Sequence, residues 1–84
     1  MQKCWTDSAW QDYLRLRTEN PVYFNELNLI IEYIEYQGTE NAEPFGNLKH
    51  YFSVKVDEEN CLVFKFDSKA DEMIIQAVKN HIEG

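Results

Sequence analysis

The spacing of apolar residues divides the chain into a helical first half and a stranded second half. Tyr23, Leu27, Ile30, Ile31 and Ile34 recur at i, i+4, i+7, i+8 and i+11, the spacing of one helical stripe. Asn20-Pro21 suits a helix start, because asparagine caps free amides and proline at the first helical position gives up no hydrogen bond. With Gly38 as a natural stop, the spacing predicts a helix from Pro21 to about Gly38. Upstream, Ser8 and Gln11 have the form of a capping box, and Thr6 and Asp7 also suit a start. Trp10, Tyr13, Leu14 and Arg17 then recur at helical spacing, which predicts a helix over about residues 8–18. Few residues separate the two helices, so they form an antiparallel hairpin. Gln2 to Trp5, just before the first helix start, is read as an edge strand.

After residue 50 the period changes to two. Phe52, Val54 and Val56 alternate with Tyr51, Ser53 and Lys55, and Leu62, Phe64 and Phe66 alternate with Cys61, Val63 and Lys65, the pattern of a β-hairpin. A three-residue loop of Glu58, Glu59 and left-handed Asn60 predicts Asp57 opposite Cys61 and Val54 opposite Phe64, with all six large apolar residues on one face. A four-residue loop would set Lys65 among Phe52 and Val54, which the pattern disfavours. Asp67 to Asp71 reads as a turn and Met73 to Val78 as a last strand, while Gly38 to Gly46 has turn formers and no period, a loop. The expected fold is α+β in the order β-α-α-β-β-β, a two-helix hairpin packed on one face of an antiparallel sheet.

Composition narrows this further. Eighty-four residues, 44% of them hydrophobic, fit one domain over residues 1–84 with one core. Cys4 and Cys61 lie in separate apolar runs without metal-ligand or CxxC spacing, so both are expected to be reduced core thiols, and no metal or cofactor is called for. The start lacks a basic region followed by an apolar stretch, and no run approaches the roughly 18–20 apolar residues that span a bilayer, so a cytoplasmic chain without a membrane partner is expected. Fifteen acids against eight bases give a net charge of −7, the wrong sign for binding nucleic acid through phosphate neutralisation alone. The acid is uneven: residues 1–46 carry eight acids and three bases, residues 47–84 seven acids and five bases.

Several strings add chemistry: Trp5-Thr6-Asp7-Ser8-Ala9-Trp10-Gln11-Asp12-Tyr13-Leu14, then Glu43-Pro44, Asn47-Leu48-Lys49, Ser53-Val54-Lys55-Val56-Asp57-Glu58-Glu59-Asn60-Cys61-Leu62-Val63-Phe64, and His81 near the end. In order and spacing they resemble the YoeB branch of the RelE superfamily of bacterial toxins, over nearly the whole chain. The resemblance implies a metal-independent mRNA interferase: a ribosome-dependent endoribonuclease of a type II toxin-antitoxin system that leaves a 2′,3′-cyclic phosphate. Its implied partners are a cognate antitoxin, the ribosome and mRNA, with room for a homodimer. Carried over residue by residue, Glu43 is the general base on the ribose 2′-OH, Lys55 stabilises charge on the phosphate, and His81 protonates the leaving oxygen.

These residue types suit those roles. A carboxylate takes a proton, a histidine returns one near neutrality, and a cation offsets charge growing on phosphoryl oxygens. Lys49 and Lys65 are candidate substrate-binding residues, and His50 is a rival acid or base. The pattern also departs from the family. Lys55 stands where arginine is preferred, replacing a fork that grips two phosphate oxygens by a point charge. Val54 and Cys61 replace further arginines, Ile82 replaces a final aromatic, and Glu26, Glu32 and Glu35 fall at basic positions of the second helix. The missing arginines and the acidic surface motivate an alternative, a catalytically inactive relative that keeps the fold to bind a protein.

Overall fold

Thr6, not Ser8, caps the first helix, its hydroxyl accepting a hydrogen bond from the Ala9 N–H at 3.1 Å. The computed structural model describes residues 1–80, and the chain runs β1 (Gln2–Trp5), α1 (Asp7–Glu19), α2 (Pro21–Gln37), β2 (Glu43–Pro44), β3 (Tyr51–Lys55), β4 (Cys61–Asp67) and β5 (Glu72–Ala77). The reason for the early cap is tertiary. β1 continues to Trp5, and the Thr6 N–H donates to the Ile75 carbonyl at 3.1 Å, so the backbone leaves the sheet at residue 6 and turns at once into α1. α2 begins as expected, with Asn20 Oδ1 accepting from the Tyr23 N–H at 3.2 Å and Pro21 in the first helical turn. It ends at Gly38, whose φ of 68° is open to glycine without steric cost.

Among the described residues the sheet has five strands, in the order β1-β5-β4-β3-β2. It is mixed rather than antiparallel throughout: β1 pairs parallel to β5, while the β5–β4, β4–β3 and β3–β2 pairs are antiparallel. The segment expected to be only loop thus contributes a short edge strand at Glu43–Pro44. The hairpin register also differs from expectation by two residues, with Lys55 opposite Cys61, Val54 opposite Leu62 and Phe52 opposite Phe64. A shift of two preserves faces, so the six apolar residues still share the helix side: Leu62 and Phe64 are buried there, and Phe52, Val54, Val56 and Phe66 pack against them. Asp57 selects the longer loop, its Oδ1 accepting from the Glu59 N–H at 2.9 Å and the Asn60 N–H at 2.8 Å. Asn60 therefore need not be left-handed, and only His50 and Asp71 among the described non-glycine residues have positive φ.

Leu27 and Ile31 of α2 meet Leu62, Phe64, Met73, Ile75 and Val78, all fully buried; burial stabilises each such side chain by roughly 1.5–3 kcal/mol. α1 lies on its small side. Its buried row is Ala9, Asp12 and Leu16, while Trp10 and Leu14, expected on the inner stripe, are 43% and 40% exposed. Trp5, Trp10, Tyr13 and Phe24 form an aromatic chain with successive centroids 4.5–5.5 Å apart, joining β1 to both helices. Cys4 and Cys61 are free, but half-buried rather than core thiols.

Tyr23 ties α2 to the end of the sheet, its buried hydroxyl donating to the Val78 carbonyl. Burial, and then the Asp57 and Cys61 charges, push its phenol well above the ordinary value of 10.0. Unfolded chains lose this proton near the ordinary value while the folded chain keeps it, so stability is full below that pH and declines as pH rises through the window above it. Tyr23→Phe is expected to cost about 1–3 kcal/mol at neutral pH, because the Val78 carbonyl loses its partner in a buried place. Urea unfolding at neutral pH and above pH 10 checks both statements. The wild type should lose stability in alkali more steeply than the variant, and parallel curves would refute the assignment.

Candidate active site

β2 places Glu43 over the sheet face away from the helices, because Glu43 pairs with Ser53 and Pro44 with Phe52. Proline is tolerated there because β2 is an edge strand. Two residues along β3, Lys55 shares that face, directly opposite Cys61 of β4. Glu43 and Lys55 are therefore diagonal neighbours, a relation that sets α-carbons roughly 7–8 Å apart. Glu43, Ser53, Lys55 and Cys61, with Asn41 from the preceding turn, line one open concavity of about 410 Å³. Glu43 and Lys55 are both exposed, and neither makes an ion pair among the described residues. Both can meet a ligand without first breaking a bridge.

The loop beside this concavity is ordered by side chains. The Glu59 N–H, followed by the Asn60 N–H, the Asn60 amide and the Lys55 charge, holds the Asp57 carboxyl below the usual carboxylate range against the opposing effect of desolvation. Asn80 closes the arrangement. Its N–H donates to Asn60 Oδ1 at 3.1 Å, its Oδ1 accepts from the Cys61 N–H at 3.3 Å, and its Nδ2 donates to the Glu59 carbonyl. Asn80, the last described residue, is thus pinned at the Cys61 rim. His81 itself lies outside the described residues.

Other candidates fall elsewhere. Lys65 pairs with Tyr51 at the opposite end of β4, four residues from Cys61, roughly 13 Å at ~3.3 Å per residue. Its ammonium lies 5.9 Å from the Tyr51 ring centroid. His50 and Lys65 line a separate concavity of about 310 Å³ with Asp67, Ser68 and Lys69. Lys49 is exposed in the turn before β3 and lines neither concavity. Asn41 and Asn80 went unnoticed in the sequence. Their roles depend on partners up to 21 residues away, and an isolated asparagine in a turn carries no local signal of them. Among the described residues no group of three or more His, Cys, Asp or Glu is placed to hold a metal ion. Nor is any helix long and apolar enough to cross a membrane.

No protein-family model matches the sequence, and no curated protein matches it significantly. Solved structures do match. A YoeB–YefM complex from Staphylococcus aureus aligns at a TM-score of 0.84 and 23% identity over 98% of each chain. The YoeB dimer from the same organism aligns at 0.85 and 21% identity, again over 98% of each chain. A YoeB/ParE toxin from Agrobacterium tumefaciens aligns at 0.84 and 21% identity, over 98% of this chain and 100% of that one. At this identity the likeness is one of backbone architecture, and by it the chain has the fold of the YoeB toxins across 98% of its length.

Proposed function

We propose that this chain is a ribosome-dependent mRNA endoribonuclease, the toxin of a toxin-antitoxin pair. The observation that carries the reading is the convergence of Glu43 and Lys55 on one concavity of the YoeB fold. Glu43 takes the proton of a ribose 2′-OH as that oxygen attacks the adjacent phosphorus. Lys55 offsets the charge that grows on the non-bridging oxygens. His81 gives a proton to the departing 5′-oxygen, so the products are a 2′,3′-cyclic phosphate and a 5′-hydroxyl. Asn80, the residue before His81, supports this role through its hydrogen bonds to Glu59, Asn60 and Cys61 at the rim. The exposure of Glu43 and Lys55 suits a site completed by a large partner, here the ribosome with its bound message. The solved relatives in complex with YefM support an antitoxin of that kind as the inhibitory partner.

Purified chain added to ribosomes carrying an mRNA should cut the message within the A-site codon, leave cyclic phosphate ends, and stop when its antitoxin is added. Intact message, under conditions where the Staphylococcus aureus toxin cuts, would overturn the proposal. One observation favours a second reading, that of a non-catalytic protein-binding module. Val22, Leu29, Tyr33 and Tyr36 of α2 are 46–79% exposed on a chain of net charge −7, a pairing better suited to a protein surface than to RNA. Intact message together with a stoichiometric protein complex would favour that second reading.

A further inference from the structure

Beside the candidate site lies a second opening, a slot of about 190 Å³ between the C-terminal end of α2 and β3. Its walls are apolar, formed by Ile30, Ile34, Ala42 and Val54. Its rim carries Tyr33, Asn41 and Lys55, and Asn41, Val54 and Lys55 also line the concavity that holds Glu43. The two openings therefore share part of their lining.

We infer that the slot is a nucleobase pocket, taking the base of the RNA nucleotide whose phosphate meets Lys55. This rests on the RNA-cleaving reading and extends it to how the substrate is positioned. Size agrees: an apolar cavity of about 150 Å³ takes a benzene ring, so 190 Å³ suits a flat heterocycle. Chemistry agrees as well. Unpaired RNA bases are recognised by burying their faces against apolar or aromatic side chains and by hydrogen bonds to their edges, and a pocket with apolar walls and a few fixed polar groups is the usual form of a specific site. Asn41 supplies the polar group. Its Nδ2 donates to the Tyr33 hydroxyl, which fixes the amide plane. Its Oδ1 and remaining N–H, with no partner among the described residues, form the acceptor and donor pair that an asparagine presents to a base. A nucleotide is also the ligand that joins the two openings, with its base in the apolar slot, its sugar beside Glu43 and its phosphate on the cation. A purely apolar occupant would leave Asn41 and Lys55 unused.

The test titrates the isotope-labelled full chain with each of the four nucleoside 3′-monophosphates and, as a control, with ribose 3-phosphate, which has no base. The Gly38 and Ala42 backbone amides and the Asn41 side-chain amide are followed by NMR. At least one nucleotide is expected to shift all three signals, while the sugar phosphate leaves Gly38 and Ala42 in place. Ala42→Leu, which fills the slot, should abolish the response, and Asn41→Ala, at an exposed position, should weaken it about fivefold through loss of edge hydrogen bonds. If Ala42→Leu unfolds the chain, Asn41→Ala alone decides. Silence with all four nucleotides, equal shifts from the sugar phosphate, or undiminished binding by Asn41→Ala would overturn the inference. Cleavage is read separately. A chain that binds nucleotides in this way but leaves ribosome-bound mRNA intact loses the endonuclease reading and keeps the pocket. One that cuts message yet cuts an abasic substrate equally well keeps the activity and loses the pocket.

Discussion

Glu43→Gln is expected to lower the rate of mRNA cleavage on the ribosome by roughly 10²–10⁴-fold, the range over which a positioned general base contributes. The amide keeps the shape of the side chain but has no carboxylate to accept the 2′-OH proton. Glu43 is exposed on an edge strand and makes no ion pair among the described residues, so the substitution should leave the melting temperature within a degree or two. Most of the loss should fall on kcat, because the proton moves only in the transition state. Single-turnover cleavage of an mRNA bound to ribosomes measures this directly. A variant that cuts within threefold of the wild type would remove Glu43 from the mechanism, and attention would pass to His50, the rival acid or base.

The largest stability effect is expected at Phe64. It is completely buried, lies opposite Phe52 with ring centroids 5.8 Å apart, and pairs with Ile75 on its other side. Phe64→Ala should cost about 3–5 kcal/mol, from lost transfer energy and the cavity left at a site fixed on both sides by strands. An 84-residue domain has roughly 4–13 kcal/mol of stability in total, at about 0.05–0.15 kcal/mol per residue. The variant should therefore be markedly destabilised or largely unfolded at 37 °C. Phe52→Ala, at the half-buried partner, should cost visibly less. Urea titration of both variants checks the order: the midpoint should fall furthest for Phe64→Ala with little change in slope, and equal midpoints would mean that the core is not centred where burial places it.

The parts of the fold legible in the sequence were those set by local periodicity. The α2 stripe is an example: Tyr23, Leu27, Ile31 and Ile34 are buried and only Ile30 lies at the margin. Period two correctly set the apolar face of the hairpin, but it cannot distinguish two registers that differ by two residues, and the Asp57 side chain decided between them. Large residues misled the reading of α1. The helix buries Ala9, Asp12 and Leu16, where a small side chain permits close approach, and leaves the bulk of Trp10 and Leu14 at the surface. The parallel pairing of β1 with β5 is invisible locally, since nothing in four residues names a partner seventy positions away. The family-like strings single out Glu43 and Lys55, and these two share a concavity. The charge of Lys65 recommends it in the sequence, yet it lies four residues along β4 from Cys61.

The pairing of β1 with β5 also sets an order of events during synthesis. At about 5–20 residues per second, the first strand waits several seconds for the one that completes it, and the two helices emerge with no sheet to cover their apolar sides. The sheet therefore cannot close until Glu72–Ala77 have left the ribosomal tunnel.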